Sequence, residues 1–244
     1  MTPQSSYRTA LAMAAAAAIV LTQLAAAGQT TPQTARPMKI GFIGSGNIGG
    51  AIGELLARAG HEVLFSSRNP DGLKPLVARV GPRARAGTPR EAIAFGDVVF
   101  LGVPYSSMAQ IGQDYAAALK GKIVLDAGNP NPRRDGAAAE AAVAKGAGVA
   151  TAEHLPGARV VRAFNQLNFK VFMSETHRAG ARVAVPLASD DAEALAVASR
   201  LVTDAGFEPV VVGNLAAGKS FDSSQPLFLK PLTARELRDT LKLP

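Results

Sequence analysis

Residues 39–49 read KIGFIGSGNIG, and this segment indicates the fold more clearly than any other. A short apolar run that ends in a glycine is typical of a buried β-strand. Apolar residues then recur with the spacing of one face of an α-helix, at Ile48, Ile52, Leu55 and Leu56. The segment therefore predicts a strand that leads through a glycine-rich turn into a helix.

The rest of the chain alternates predicted strands and helices. Further strands are predicted at residues 62–66, 97–103, 122–126, 159–163, 183–187 and 207–212, and helices at residues 47–59, 73–80, 89–95, 106–119, 136–145, 190–204 and from 233 onward. This alternation predicts right-handed crossovers and a mostly parallel sheet. We expect an α/β protein of the doubly wound Rossmann type, with a nucleotide-binding domain at 38–165 and a small α/β extension on the same sheet at 166–244.

Composition excludes several classes of protein. Of 244 residues, 48% are hydrophobic and none is cysteine, so a large core is available and disulfides and thiolate catalysis are ruled out. The net charge is +7, but Lys and Arg are scattered and no nucleic-acid-reading element accompanies them. We therefore expect no nucleic-acid partner, and a solvated basic surface instead.

The N-terminus differs from the rest. Arg8 precedes an Ala-rich apolar run, and Ala25-Ala26-Ala27 supplies the small residues that a signal peptidase requires. We predict a signal peptide at 1–27, a linker at 28–37 and an exported mature chain without a membrane span. Alternatively, translation starts at Met38, directly before the first strand, and the protein is cytoplasmic.

The segment Gly44-Ser45-Gly46-Asn47-Ile48-Gly49 is a G-x-G-x-x-G placed between a strand and a helix, as dinucleotide binding requires. Gly44 permits a tight turn, Gly46 lets a pyrophosphate approach the backbone, and Gly49 lets helix and strand pack closely. The free N–H groups at the start of the helix then face the phosphate charge. The alternative is a glycine-rich turn without a ligand.

The end of the second strand indicates which dinucleotide is bound. An NAD site places Asp or Glu there, whereas this chain has Ser66-Ser67-Arg68-Asn69. Ser67 can donate to a ribose 2′-phosphate, and Arg68 can bind it as a fork. The sequence therefore favours NADP(H) over NAD, unless Arg68 is only a surface residue of the turn.

Ligands of open parallel sheets lie beyond the carboxyl ends of the strands. The residues that follow three predicted strands are therefore expected around the nicotinamide: Val103, Pro104, Tyr105, Asn129, Pro130, Ala163 and Asn165. Asn129 and Asn165 could alternatively serve only to hydrogen-bond their own loops.

We predict no catalytic side chain and no metal ligand. The chain has no Tyr-x-x-x-Lys pair, and His61, His154 and His177 lack metal-ligand spacing. Hydride transfer between two bound rings needs no protein acid or base, only the correct placement of both rings.

Several motifs, taken in order, resemble the NADPH-dependent coenzyme F420 reductases. They are residues 43–50, Ser67-Arg68, Val103-Pro104, Gly128-Asn129-Pro130, residues 161–165 and Gly206-Phe207, and the resemblance extends from about Lys39 to Leu229. The first segment also resembles the N-terminal domain of pyrroline-5-carboxylate reductase. That enzyme has a long all-helical C-terminal domain, whereas residues 182–212 predict strand, helix and strand.

The resemblance implies that NADP is bound by Ser45, Gly46, Asn47 and Ile48 at the loop, and by Ser67 and Arg68 at the 2′-phosphate. It implies hydride transfer between NADPH and a small planar acceptor, F420 or a flavin, beside the nicotinamide. Two alternatives stay open, a non-catalytic NADP-binding redox sensor and an imine or keto-acid reductase of the pyrroline-5-carboxylate type. A homodimer is compatible with the sequence.

Overall fold

A computed structural model of the protein describes residues 36–244. The predicted signal peptide and residues 28–35 of the predicted linker lie outside it, so processing and export stay predictions. Within residues 36–244, no helix is both long and apolar enough to cross a bilayer.

Strands and helices alternate along the described residues. The strands are β1 (Lys39–Ile43), β2 (Glu62–Ser66), β3 (Ala84–Gly87), β4 (Val98–Leu101), β5 (Ile123–Asp126), β6 (Arg159–Arg162), β7 (Ala184–Ala188) and β8 (Glu208–Gly213). The α-helices are α1 (Asn47–Arg58), α2 (Lys74–Val80), α3 (Pro89–Phe95), α4 (Met108–Leu119), α5 (Pro132–Asp135), α6 (Ala137–Lys145), α7 (Ala147–His154), α8 (Phe169–Glu175), α9 (Ala192–Asp204) and α10 (Ala234–Leu241). Short 3₁₀ helices lie at Pro70–Leu73, Tyr105–Ser107 and Leu215–Phe221.

All eight strands form one sheet in the order β3-β2-β1-β4-β5-β6-β7-β8. The six strands from β1 to β6 pair in parallel, which confirms the predicted α/β doubly wound fold of Rossmann type. Strands β7 and β8, which lie in the predicted C-terminal extension, continue the same sheet, and the division of the chain at residue 165 stays a prediction. The expectation of parallel crossovers fails at one place, because β7 runs antiparallel to β6. Between β6 and β7 the chain forms the short helix α8, which packs against α1. Strand β7 then begins at the end of the sheet where β6 finishes.

Four short elements were not predicted: β3, α5, α7 and α8. In β3 only the two end residues are buried, and α5 has no buried residue, so neither leaves a hydrophobic period in the sequence. Their existence depends on neighbouring elements already being in place.

Apolar layers cover both faces of the sheet. Along β4, Val98 and Phe100 pack into one layer, and Val99 and Leu101 into the other, as expected for a strand buried on both sides. Buried aromatic rings contact one another across the first layer, in the order Phe65, Phe42, Phe100, Phe164, Phe172 and Phe207. Burial of each such ring stabilises the folded state by roughly 1.5–3 kcal/mol. The loops at the carboxyl ends of the strands therefore extend from a well-packed sheet.

Candidate dinucleotide-binding site

The strand order reverses between β1 and β4, so the loops that follow these strands leave toward opposite faces and open a crevice. A cavity of about 690 Å³ lies there. Its walls come from the loops after β1, β2 and β4, from the start of α3 and from one side of α4. The lining residues are Ile43, Gly44, Ser45, Gly46, Ser66, Ser67, Arg68, Leu73, Pro89, Val103, Pro104, Ser106, Ser107, Gln110, Ile111, Asp114 and Tyr115.

The three glycines of the loop differ in the space around them. Gly44 has a φ of +94°, and a Cβ added there would lie 2.4 Å from the Gly102 carbonyl oxygen. A Cβ on Gly49 would lie 2.0 Å from the Gly44 carbonyl oxygen. In contrast, a Cβ on Gly46 would meet nothing within 4 Å. The backbone therefore turns at Gly44, packs closely at Gly49 and faces open space at Gly46.

The amino end of α1 begins at this open position. Gly46 is the N-cap residue and makes no side-chain capping bond, and the first turn carries no acidic residue. The first N–H groups of a helix lack partners in the helix and carry partial positive charge. Ser45 fixes this end to β2, because its Oγ donates to the Ser66 carbonyl oxygen at 3.1 Å.

At the other side of the cavity, Ser67 and Arg68 follow β2. Arg68 is exposed and, within the described chain, forms no ion pair, so its guanidinium is available to an anion in the cavity. Among the lining residues the carboxylate is that of Asp114 on α4, which accepts a hydrogen bond from Gln110 Nε2 at 2.9 Å. No lining carboxylate follows β2, where an NAD site would have one.

Sequence reasoning missed much of the cavity wall. Leu73 and Pro89 flank the side near Arg68, and the α4 side presents Gln110, Asp114 and Tyr115. The capping box that begins α3 places Pro89, since Thr88 and Glu91 exchange hydrogen bonds. Nothing in the sequence showed which side of α4 would face the crevice.

Some of the predicted site residues line the larger cavity and the others do not. Seven of them line the cavity: Gly44, Ser45, Gly46, Ser67, Arg68, Val103 and Pro104. Asn47 instead lines a second cavity of about 480 Å³ between α1, α2 and α8, while Ile48 and Gly49 pack into the fold. Pro130, Ala163 and Asn165 are buried and do not line the larger cavity. Contact of any of these residues with a ligand stays a prediction.

Tyr105 also lies beneath the surface of the site. Its side chain is 3% exposed, its ring packs edge-on to His154, and its Oη has no hydrogen-bond partner. Burial, with a contribution from the Asp126 charge, raises the pKa of Tyr105 to about 12. Tyr105 therefore stays protonated at neutral pH, and its buried ring packs beneath the loop that follows β4.

Asn129 and Asn165 hydrogen-bond to each other across the loops that follow β5 and β6. Asn129 Nδ2 donates to the Asn165 carbonyl oxygen at 2.7 Å, and Asn165 Nδ2 donates to the Phe221 carbonyl oxygen at 3.0 Å. Phe164, which directly precedes Asn165 and is fully buried, has a φ of +57°, a conformation that is uncommon for a residue with a large side chain. The loops after β5 and β6 are thus connected to each other and to the C-terminal extension.

Within the described residues, no group of His, Cys, Asp or Glu side chains is arranged to hold a metal ion.

Comparison with known proteins finds a matching family model and a relative. Residues 39–130 match the family model described as NADP oxidoreductase, coenzyme F420-dependent. Metalloreductase STEAP3 of Rattus norvegicus is 28% identical over 203 residues, which are 79% of this chain but only 37% of the rat protein.

Two solved structures share the fold over most of both chains. A hypothetical protein from Sinorhizobium meliloti is 28% identical with a TM-score of 0.68, covering 83% of this chain and 97% of the other. A candidate F420-dependent NADP-reductase from Arthrobacter sp. FB24 is 23% identical with a TM-score of 0.63, covering 84% and 96%. Over residues 39–130 the chain is therefore similar to the coenzyme F420-dependent NADP oxidoreductases, a family of NADP-dependent oxidoreductases.

Proposed function

We propose that this protein transfers a hydride between NADPH and a planar deazaflavin or flavin acceptor. One observation carries the proposal: the open backbone at Gly46 and the unpaired guanidinium of Arg68 face the same cavity. A pyrophosphate and a ribose 2′-phosphate are the two anionic groups that NADP presents along its length, and the cavity offers one cationic feature for each.

The residues fit the adenosine half of NADP. The first N–H groups of α1 would bind the pyrophosphate, because no side chain at Gly46 stands in front of them. Arg68 and Ser67 would bind the 2′-phosphate through charge-assisted hydrogen bonds, each contributing about 1.5–3 kcal/mol. Leu73 and Pro89 supply apolar surface for the adenine on the same side of the cavity.

The reacting half is expected beside Val103 and Pro104, at the carboxyl end of β4. When bound, NADPH would supply the hydride, and the acceptor would take up one proton from solvent to complete its two-electron reduction. The contribution of the chain is to hold two rings face to face on a rigid sheet edge. The name of the matching family and that of the Arthrobacter protein both contain F420, which supports a deazaflavin acceptor.

An acceptor panel tests this proposal. Purified full-length protein is mixed with NADPH and, in separate reactions, with F420, FMN, FAD, a quinone, a ferric chelate and pyrroline-5-carboxylate, and the oxidation of NADPH is followed by absorbance. The ferric chelate is included because of the name of the rat relative, of which this chain spans little more than a third. Turnover with F420 or a flavin supports the proposal. Tight NADPH binding without oxidation by any acceptor would favour the redox-sensor alternative, and turnover of pyrroline-5-carboxylate the imine-reductase one.

Localisation is tested separately. The predicted signal peptide requires that the native protein begin at Gly28. Sequencing of the native N-terminus would contradict this processing if it found Met1 or Met38 instead.

A further inference from the structure

A guanidinium lies buried at the carboxyl end of β6. Arg162 is charged yet 0% exposed, and although it lies within the 161–165 motif, the sequence assigned no role to it. Its Nη1 donates to the carbonyl oxygens of Asp126 and Gly128, and its Nη2 donates to Asn129 Oδ1 at 3.0 Å. The side chain of Arg162 thus contacts three residues, Asp126, Gly128 and Asn129, where the chain leaves β5.

The C-terminal extension holds the guanidinium from the opposite side. Arg162 Nε and Nη2 both donate to Asp222 Oδ1, at 3.0 and 2.8 Å. The other oxygen of Asp222 accepts the Ala147 N–H at 2.9 Å, at the first residue of α7. The guanidinium of Arg162 is therefore held on its other side by a segment about 60 residues away in sequence.

This arrangement is not explained by stability alone. One cation lies between two carboxyl groups, because Asp126 Oδ2 is also 3.2 Å from Arg162 Nη1. Burial raises the pKa of Asp126, although the Arg162 charge offsets part of that effect. Apolar side chains of similar volume often stabilise a core as well as a buried ionic cluster does. Fixed geometry is what this cluster provides and apolar packing does not.

The loop that Arg162 fixes lies directly beside the cavity. A Cβ on Gly128 would be 3.7 Å from the carbonyl oxygen of Val103, and Val103 lines the cavity. Asn129 is half-buried, and its amide group is held between Arg162 Nη2 and the Asn165 carbonyl oxygen. Gly128 and Asn129 do not line the cavity themselves, but Gly128 packs against the wall residue Val103 from behind.

We propose that Arg162 is a positioning residue for the nicotinamide half of the dinucleotide, acting through the Gly128–Asn129 loop and itself held by Asp222. The inference rests on the proposed function, which places the nicotinamide beside Val103 and Pro104 at the carboxyl end of β4. Arg162 does not touch the ligand. Its five donors, in a fixed plane, fix the loop in a way that lysine, with one rotatable ammonium, cannot reproduce.

The test compares Arg162→Lys with Arg159→Lys in the full chain. Arg159 is a matched control, because it lies on the same strand and pairs with Asp191 and Glu193, but at the amino end of β6. Calorimetry measures the Kd of NADPH and of adenosine 2′,5′-bisphosphate, which has no nicotinamide. The fluorescence of bound NADPH reports the surroundings of the nicotinamide ring, and circular dichroism establishes that each variant is folded.

We expect Arg162→Lys to weaken NADPH about tenfold and to change its fluorescence, with the affinity for adenosine 2′,5′-bisphosphate within about twofold of wild type. Arg159→Lys should leave both ligands and the fluorescence unchanged. A folded Arg162→Lys protein that binds both ligands as wild type does, or that loses both equally, would overturn the inference. If wild type binds neither ligand, the proposed function fails instead.

Should Arg162→Lys not fold, Asn129→Ala decides, because this half-buried loop residue can be truncated without removing the buried cation. A selective loss of NADPH relative to adenosine 2′,5′-bisphosphate supports the inference. NADPH affinity and fluorescence equal to those of wild type would overturn it.

Discussion

Gly46→Ala separates ligand binding from folding at the glycine loop. An alanine Cβ there has open space, and the φ of −77° is one that alanine readily adopts. A glycine-to-alanine change at a compatible position stabilises by about 0.4–1 kcal/mol, because it lowers the entropy of the unfolded chain. Alanine is a poorer N-cap than glycine by a similar amount. The two effects offset each other, so we expect the free energy of unfolding to change by less than about 1 kcal/mol.

The effect on NADPH binding is expected to be much larger. The added methyl group occupies the space through which a pyrophosphate would reach the first N–H groups of α1. Loss of one charge-assisted hydrogen bond costs about 1.5–3 kcal/mol, which corresponds to roughly a 10- to 150-fold increase in Kd.

Calorimetry with NADPH measures the Kd, and denaturant unfolding without ligand measures the stability. Gly72→Ala is the matched control: its Cβ would also meet nothing closer than 4.0 Å, and Gly72 does not line the cavity. The control should bind NADPH like wild type. A Gly46→Ala protein with wild-type stability and a Kd within about twofold of wild type would refute the reasoning, because the open backbone would then not be where a phosphate approaches.

Three further predictions follow from the same geometry. Arg68→Ala should weaken NADPH by about 1–3 kcal/mol and leave NADH nearly unchanged in parallel fluorescence titrations, and equal losses would contradict the role of Arg68 at the 2′-phosphate. Gly49→Ala should destabilise the fold by about 1–3 kcal/mol in denaturant unfolding, since its Cβ would lie 2.0 Å from the Gly44 carbonyl oxygen, and a neutral effect would show that the loop and α1 separate easily. Burial lowers the pKa of His61 below 6.5 despite its hydrogen bond to Asp204, so the folded state binds the proton less well than the unfolded state. The free energy of unfolding should therefore decrease as the pH falls below about 6.5, by at most about 1.4 kcal/mol per pH unit. Urea midpoints measured across this pH range check the expectation, and an equal pH dependence in wild type and His61→Asn would refute it.

Much of the fold could be predicted because its signals are local. The strand at β1, the glycine loop and the helix face of α1 lie within 20 residues, and each follows from the spacing of apolar residues and glycines. The predicted helix starts near residues 89 and 233 are local in the same way, because capping boxes at Thr88 and Thr233 join residues three positions apart. Elements with few buried residues, such as β3 and α5, left no comparable pattern.

By itself, the sequence determined the alternation of the longer strands and helices and the position of the glycine loop, because side-chain periodicity and glycine backbone freedom act over a few residues. Only the tertiary structure decided that Arg68 and Gly46 share one cavity, that β7 pairs antiparallel with β6, and that Arg162 meets Asp222 and Asn129. These pairings join residues that are tens of positions apart. They depend on how the whole sheet packs, and no local pattern encodes that.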